Sequence, residues 1–389
     1  MLERIHVENY KCLRDVTVDL GDFTVLIGPN DSGKSSFLEV VQTFGRLARQ
    51  DFAGTFAGDR TLANLVWHKD SSRQIVLGVA GITSEHRFSY QLEVPVDGSP
   101  QRESLEWDGQ RLFWTEEVSS GPASAQVIAI ATGQGKQNQP VRPQNLFLRQ
   151  FVGQRSAASA ILERELTASV EYHFDPEKLS KPSVPKPAAM LEPSGANLAA
   201  VLDVMQNSAD RSEFEAVQKS LHDAVPSIAG IVLPPTPQQA GAKALEFILS
   251  GNGHPRATIP ASLASSGSLL LTAFLTLAYT KSPGILLFEE PENGLHPSRL
   301  QMVVDILRRI GRGEVGNRKR QVIVTTHNPV LLNYATPEEV RVFVRHPEEG
   351  TRVLPMTSVP DIDRLLKEFS LGELWYLLGE EKLFQEQPA

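Results

Sequence analysis

The chain has 389 residues, 41% of them hydrophobic and 22% charged, which supplies a substantial core and suggests two or three subdomains. Its net charge of −8 excludes a global attraction to nucleic acid or to an anionic membrane, so any DNA contact has to come from a local patch. The single cysteine, Cys12, excludes an internal disulfide framework; with no secretory-type apolar run at the start and no apolar stretch near the ~20 residues that span a bilayer, a soluble cytoplasmic protein is expected.

Residues 5–7, 16–20 and 23–27 read as three short strands joined by turns. The third, Phe23-Thr24-Val25-Leu26-Ile27, runs directly into Gly28-Pro29-Asn30-Asp31-Ser32-Gly33-Lys34-Ser35, which fits the phosphate-loop pattern G-x-x-x-x-G-K-[ST]. From Ser36 onward apolar residues recur at helical spacing, so strand, loop and helix stand in the required order. The residue types follow from the chemistry. Successive backbone N–H groups, with the positive end of the next helix, form a concave anion site for nucleotide phosphates. Gly28 and Gly33 permit that backbone path, and Asp31 tolerates the left-handed conformation where many such loops carry a third glycine. Lys34 is placed to meet the β- and γ-phosphates, and the Ser35 hydroxyl to complete the coordination of Mg²⁺.

The middle of the chain has a different texture. Residues 86–94 and 103–114 alternate apolar with polar side chains around the hairpin turn Asp108-Gly109, which predicts an antiparallel β layer. Residues 121–145, rich in Gly, Gln, Ala and Pro, read as loop and strand, and residues 175–195, with Pro176, Pro182, Pro185, Pro187 and Pro193, as loop or linker. Helical patterning resumes at 197–205 and at 212–224, where Phe214, Val217 and Leu221 share a face. No heptad run persists, so a compact lobe is expected and not a coiled-coil arm. In the last third, Ser265-Ser266-Gly267 opens a helix that is apolar on nearly every side and hence buried. Ile285-Leu286-Leu287-Phe288 then reads as a buried parallel strand with Glu289-Glu290 at its carboxyl end, where ligands collect in open α/β sheets. Residues 297–310 form a helix, residues 321–325 a further buried strand, and His327 follows.

The phosphate loop, the Ser265-Ser266-Gly267 helix start, the segment ILLFEEPENGLHP (285–297) and the segment TTHNP (325–329), in this order, resemble the ABC-type ATPase heads of the RecF, SMC and OLD (overcoming lysogenization defect) group. The glutamate-rich segment and the opening IHVENYKCLRDVTVDL are most similar to the OLD-like branch. The resemblance implies an α/β P-loop NTPase fold of ABC-ATPase type, with a mixed sheet flanked by helices, an antiparallel β layer and an inserted helical lobe. The expected division is a split head (1–50 and 255–345), a β-rich lobe (51–150), an inserted loop and helical lobe (151–254) and a C-terminal strand and helix extension (346–389).

It also implies roles. ATP binds residues 28–36, from Gly28 to Ser36, with Mg²⁺ held by Ser35 and Glu289, where relatives outside the OLD branch usually carry Asp. Glu290 is the general base, Lys34 and His327 contact the γ-phosphate, and Ser265, Gly267 and Asn293 reach nucleotide across a dimer interface. Each has a plainer alternative: a solvated acidic turn, a structural histidine, a helix cap at Ser265, an ordinary turn at Asn293-Gly294. A γ-phosphate-sensing glutamine is implied, and Gln42, Gln50 and Gln74 all remain open. The basic run Arg308, Arg309, Arg312, Arg318, Lys319, Arg320 is either a DNA-backbone contact or a solvated helix end. His68 and His173 show no second ligand at metal spacing, so no zinc site is read.

The expected function is an ATP-hydrolysing switch that closes as a nucleotide-sandwiched homodimer or higher homo-oligomer and acts in DNA repair or phage defence. Too few residues follow His327 for the Toprim nuclease that many OLD-like proteins carry, so a separately encoded effector, with residues 371–384 as a docking helix, is expected. Two other readings are a nucleotide-gated scaffold with negligible turnover and the ATPase subunit of a membrane transporter. The wide separation of Gly33 from Gly267 argues against the transporter.

Overall fold

A computed structural model describes the chain except residues 84, 97–100, 121–122, 133–134, 141–145, 155, 188–189, 238, 252–256, 281–282, 317–318, 347 and 384–389. It falls into two compact units, one of residues 1–169, 338–362 and 380–389, the other of residues 170–337 and 363–379.

In the first unit an eight-stranded antiparallel sheet runs in the order Leu13–Asp19, Leu2–Tyr10, Gln74–Ile82, Arg87–Pro95, Arg102–Trp107, Gln110–Ser120, Ala123–Thr132, Gly135–Pro140. Strict alternation sets its buried face: Phe88, Tyr90, Leu92 and Val94 are inside while Arg87, Ser89 and Gln91 face out. The hairpin at Asp108-Gly109 has positive φ at both residues (50° and 76°), the two-residue turn whose twist matches that of paired strands. Two of the eight strands lie within 121–145, part of which was expected as loop. Alanines in the first and polar residues in the second weaken the strand pattern, and the ladder from Gln110–Ser120 through Ala123–Thr132 to Gly135–Pro140 makes them strands all the same.

The same unit holds the fully buried strand Phe23–Ile27, parallel to Val340–His346, which pairs antiparallel with Gly350–Pro355. The 16-residue helix Lys34–Arg49 buries Phe37, Leu38, Val40, Val41, Phe44 and Leu47, with the Phe37 ring 5.9 Å from that of Phe343. At Gly45 a side chain would press on the backbone of Ala157–Thr167 (3.1 Å to Leu166 O), so a glycine allows these two helices to approach.

In the second unit the strand Ile285–Glu289 lies between Ser169–Tyr172 and the parallel strand Gln321–Thr326, with Glu289 opposite Thr325. Ile228–Val232, Glu246–Leu249 and Thr258–Pro260 make a small antiparallel sheet. The helix Ser266–Tyr279 is buried from Leu269 to Ala278, as its all-round apolar sequence requires. Phe274 and Phe288 lie in contact at 5.4 Å, with Tyr172 and Phe174 against them, so helix and strand share one aromatic core. Leu198–Gln206, Ser212–Ala224 and Leu300–Arg312 complete the main helices, and Phe214, Val217 and Leu221 are buried together. The segment Leu371–Leu383 is helical but broken at Gly379 (φ 64°), which interrupts the expected docking helix; Phe384 lies outside the described residues. No described helix is long and apolar enough to cross a membrane.

Candidate nucleotide site

In the first unit the buried strand Phe23–Ile27 delivers the chain into the loop. A Cβ at Gly28 would run into Phe343 O and into Ser32 Oγ (2.6 Å), so only glycine fits there. Asp31 takes φ 64° and Gly33 φ 101°, the two left-handed residues that turn successive N–H groups toward one side before the helix starts at Lys34. The loop is pinned from outside. Thr351 Oγ1 donates to Ser32 O (2.8 Å), and Arg345 Nη1 donates to Asp31 O (2.9 Å). Lys34 is only 7% exposed, and its ammonium donates to the carbonyls of Gly28 and Pro29, 2.8 Å each. The charge is thereby held at the mouth of the loop. Asn30, Asp31 and Ser35 are exposed, Ser36 half-buried, and Ser32 Oγ is buried with no hydrogen-bond partner.

In the second unit the two glutamates diverge as expected for adjacent residues at a strand end. Glu289 closes the strand; Glu290 takes φ 47°, a backbone strain that a non-glycine residue pays of order 1 kcal/mol to hold. Its carboxylate is fixed on both oxygens. His327 Nδ1 donates to Oε1 (2.6 Å) and Asn293 Nδ2 to Oε2 (3.0 Å), while its own N–H donates to Thr325 O (2.9 Å). A second tie lies behind the first: Thr326 Oγ1 donates to Glu292 Oε1, and Asn328 N donates to Thr326 Oγ1 (2.9 Å). Glu292 is 6% exposed, and burial pushes its carboxyl above the ordinary glutamate value against the pull of Thr326. Glu292 and Thr326 went unnoticed in the sequence although both lie inside the motif segments. Nothing local in sequence tells that the turn after Glu289 brings Glu292 against Thr326 at the end of the neighbouring strand.

Ser265 caps the helix Ser266–Tyr279 by accepting from Ser268 N. Ser265 and Gly267 line one cavity, about 260 Å³, with Gly294, Leu295 and His296 of the loop after the glutamates, so two segments distant in sequence meet; exposed Asn293 flanks it.

Other candidates separate. Gln42 accepts from Arg46 Nη2 (2.7 Å) along its own helix, Gln50 follows that helix, and Gln74 opens a strand of the eight-stranded sheet. The basic run divides: Arg309, Arg312 and Lys319 are exposed, as on a solvated helix end, and Arg320 is buried. Arg320 is 2% exposed and donates to the carbonyls of Leu277, Ala278 and Thr280, satisfying the end of the buried helix; Arg308 reaches Asp305 (3.0 Å) and Tyr334 O, and Arg309 lies near Glu314 (3.8 Å). Arg318 lies outside the described residues. The reading that His173 lacks further ligands is corrected: ligand atoms of Glu171, His173 and Glu289 all lie within 4.8 Å of one another. Glu171 and His173 point from one face of a strand, but nothing local in sequence tells that this strand borders Glu289. His68 joins no such group among the described residues.

Residues 23–333 match the family described as "AAA domain, putative AbiEii toxin, Type IV TA system". The chain belongs to that family. Over 41 residues it is 42% identical to a protein of Thermus scotoductus named OLD nuclease, a stretch that covers 10% of this chain and only 8% of that protein's length. Among solved structures, an SMC head bound to the C-winged helix domain of ScpA superposes with a TM-score of 0.55 at 15% identity, covering 91% of this chain and 97% of that one. An SMC head domain with an extended coiled coil bound to the C-terminal domain of ScpA, derived from Pyrococcus furiosus, gives 0.51 at 13% identity over 94% and 99%. This AAA-domain chain therefore has the P-loop fold of an SMC-type head, and the resemblance to OLD-like and RecF–SMC ATPase heads stands.

Proposed function

We propose that this chain binds ATP with Mg²⁺, hydrolyses it, and uses the cycle as a switch that closes two heads on nucleotide. The observation that carries hydrolysis, beyond binding, is the Glu290 carboxylate held by His327 and Asn293: a base with both oxygens oriented is suited to accept a proton from an attacking water. The loop supports the phosphate half. Its left-handed Asp31 and Gly33 form an anion cradle, the uncommitted Ser32 hydroxyl adds a polar lining, and Lys34 supplies charge to the β- and γ-phosphates.

The two residues read as metal ligands each offer a donor that suits the cation. Ser35 offers an exposed hydroxyl on the first turn of the helix, and Glu289 offers a carboxylate at a strand end, both hard oxygen ligands. Mg²⁺ held there would neutralise phosphate charge. His327 then acts at Nε2 while its Nδ1 remains with Glu290, so the histidine and the base report to each other when the γ-phosphate leaves. On this reading Ser265, Gly267 and Asn293 engage the nucleotide of a second copy, Ser265 and Gly267 sharing a cavity wall with Gly294, the residue after Asn293. The switched object is DNA or a separately encoded effector, a Toprim-type nuclease being the class that the OLD resemblance suggests.

The mass in solution tests the switch. ATP with Mg²⁺ is expected to double the mass of Glu290→Gln, while ADP, or ATP with Lys34→Ala, leaves one chain; an unchanged mass of Glu290→Gln with ATP sinks the sandwiched-dimer reading. Added duplex DNA that raises turnover assigns DNA as the trigger, and indifference to DNA shifts it to a protein partner.

A further inference from the structure

We propose that Glu171, His173 and Glu289 form a divalent-cation site that takes Mn²⁺ in preference to Mg²⁺. The inference rests on the ATPase reading in one respect, that Glu289 serves the nucleotide's cation; the binding of metal by the chain alone stands apart from it.

The site is built from two neighbouring strands. Glu171 and His173 are two residues apart at the end of Ser169–Tyr172, so their side chains leave on the same face. Glu289 ends the adjoining strand Ile285–Glu289, at the carboxyl end where ligands gather in parallel sheets. One ligand atom from each residue lies within 4.8 Å of the other two, and His173 Nε2 is 3.2 Å from Glu171 Oε1. Ligands bound at about 2.0–2.2 Å to one ion lie roughly 3–4 Å apart, so small side-chain rotations bring all three onto a common cation.

The imidazole sets the preference. Mg²⁺ favours oxygen ligands and keeps much of its water, whereas Mn²⁺ and later first-row ions accept imidazole nitrogen beside carboxylate. Three protein ligands on one side leave the remaining positions open to water or to phosphate oxygens. The half-exposed setting gives a cation access from solvent: His173 is exposed and both glutamates are intermediate.

Free Mn²⁺ has a six-line electron paramagnetic resonance signal that fades on binding, which allows titration of the full chain without nucleotide. Wild type is expected to bind Mn²⁺ at least about tenfold more tightly than Mg²⁺ measured by competition, and His173→Ala and Glu171→Gln to weaken Mn²⁺ by about tenfold or more. Lys34→Ala should bind as wild type. Unfolding of each variant in chelator, compared with wild type, separates a lost site from a lost fold, and Glu171→Gln keeps the question open to test where His173→Ala is unstable. An unattenuated signal with wild type, or folded variants that bind Mn²⁺ as wild type does, overturns the proposal. Mn²⁺ binding in a chain that shows no ATP turnover would instead uphold the site and remove the ATPase reading.

Discussion

At Gly28 the sequence pattern and the space agree: a methyl group there would meet the Phe343 carbonyl and the Ser32 hydroxyl, so Gly28→Ala is expected to cost about 1–3 kcal/mol in urea unfolding, and a variant as stable as wild type would refute that packing. Glu292 gives a sharper residue-scale prediction. Its carboxyl is driven toward the neutral form by burial, so Glu292→Gln keeps an acceptor for Thr326 and stays within about 1 kcal/mol of wild type. Glu292→Ala leaves Thr326 without that acceptor and loses about 1–3 kcal/mol; equal losses in the two variants would contradict it. The phosphate loop was legible because few residue types tolerate its backbone: Gly33 and Asp31 are there for positive φ, and such demands show in sequence. Glu171 and His173 were not legible, since their meaning comes from a neighbour more than a hundred residues on and from strand pairing that no local period encodes.

Among the elements, the buried helix Ser266–Tyr279 and the strand Ile285–Glu289 were plain from unbroken apolar runs, and the Asp108-Gly109 hairpin from its turn residues. Within the basic run Arg320 departs for a physical reason: a charge pattern does not tell which way a long side chain folds. Arg320 turns inward to satisfy the carbonyls ending the helix Ser266–Tyr279, so Arg320→Ala leaves those acceptors bare and is expected to destabilise by about 3 kcal/mol in chemical denaturation. A loss below about 0.5 kcal/mol, the value for an ordinary surface change, would contradict the cap. In the eight-stranded sheet, Glu103 is buried beneath Tyr90 and accepts from the N–H groups of Phe147 and Leu148 (2.7 and 3.0 Å). Burial nevertheless outweighs those donors and pushes its carboxyl up to about 7. With the folded value above the unfolded one, the folded state holds the extra proton; the resulting stability is complete below about pH 4.5 and is lost as pH rises toward 7. The thermal midpoint of wild type should therefore carry a falling component between pH 5 and 7 that Glu103→Gln removes, and identical pH profiles would remove Glu103 as its source.

For the whole molecule, the family match over residues 23–333 spans both motif groups, and the fold is that of an SMC-type head. The sequence motifs foretold that architecture because the motif segments sit at strand ends, where fold and chemistry coincide. Partners were less legible: they depend on surfaces, and a surface residue is constrained by what it meets outside the chain. The central claim is that the loop of Lys34 and the clamp on Glu290 serve one hydrolytic reaction. Steady-state ATP hydrolysis with Mg²⁺, measured beside ATP binding for wild type, Lys34→Ala and Glu290→Gln, addresses it most directly. Turnover by wild type, loss of binding in Lys34→Ala, and retained binding with turnover lowered by about a hundredfold or more in Glu290→Gln are the predicted results. No turnover by a wild type that binds ATP, or Glu290→Gln turning over as wild type does, would contradict it.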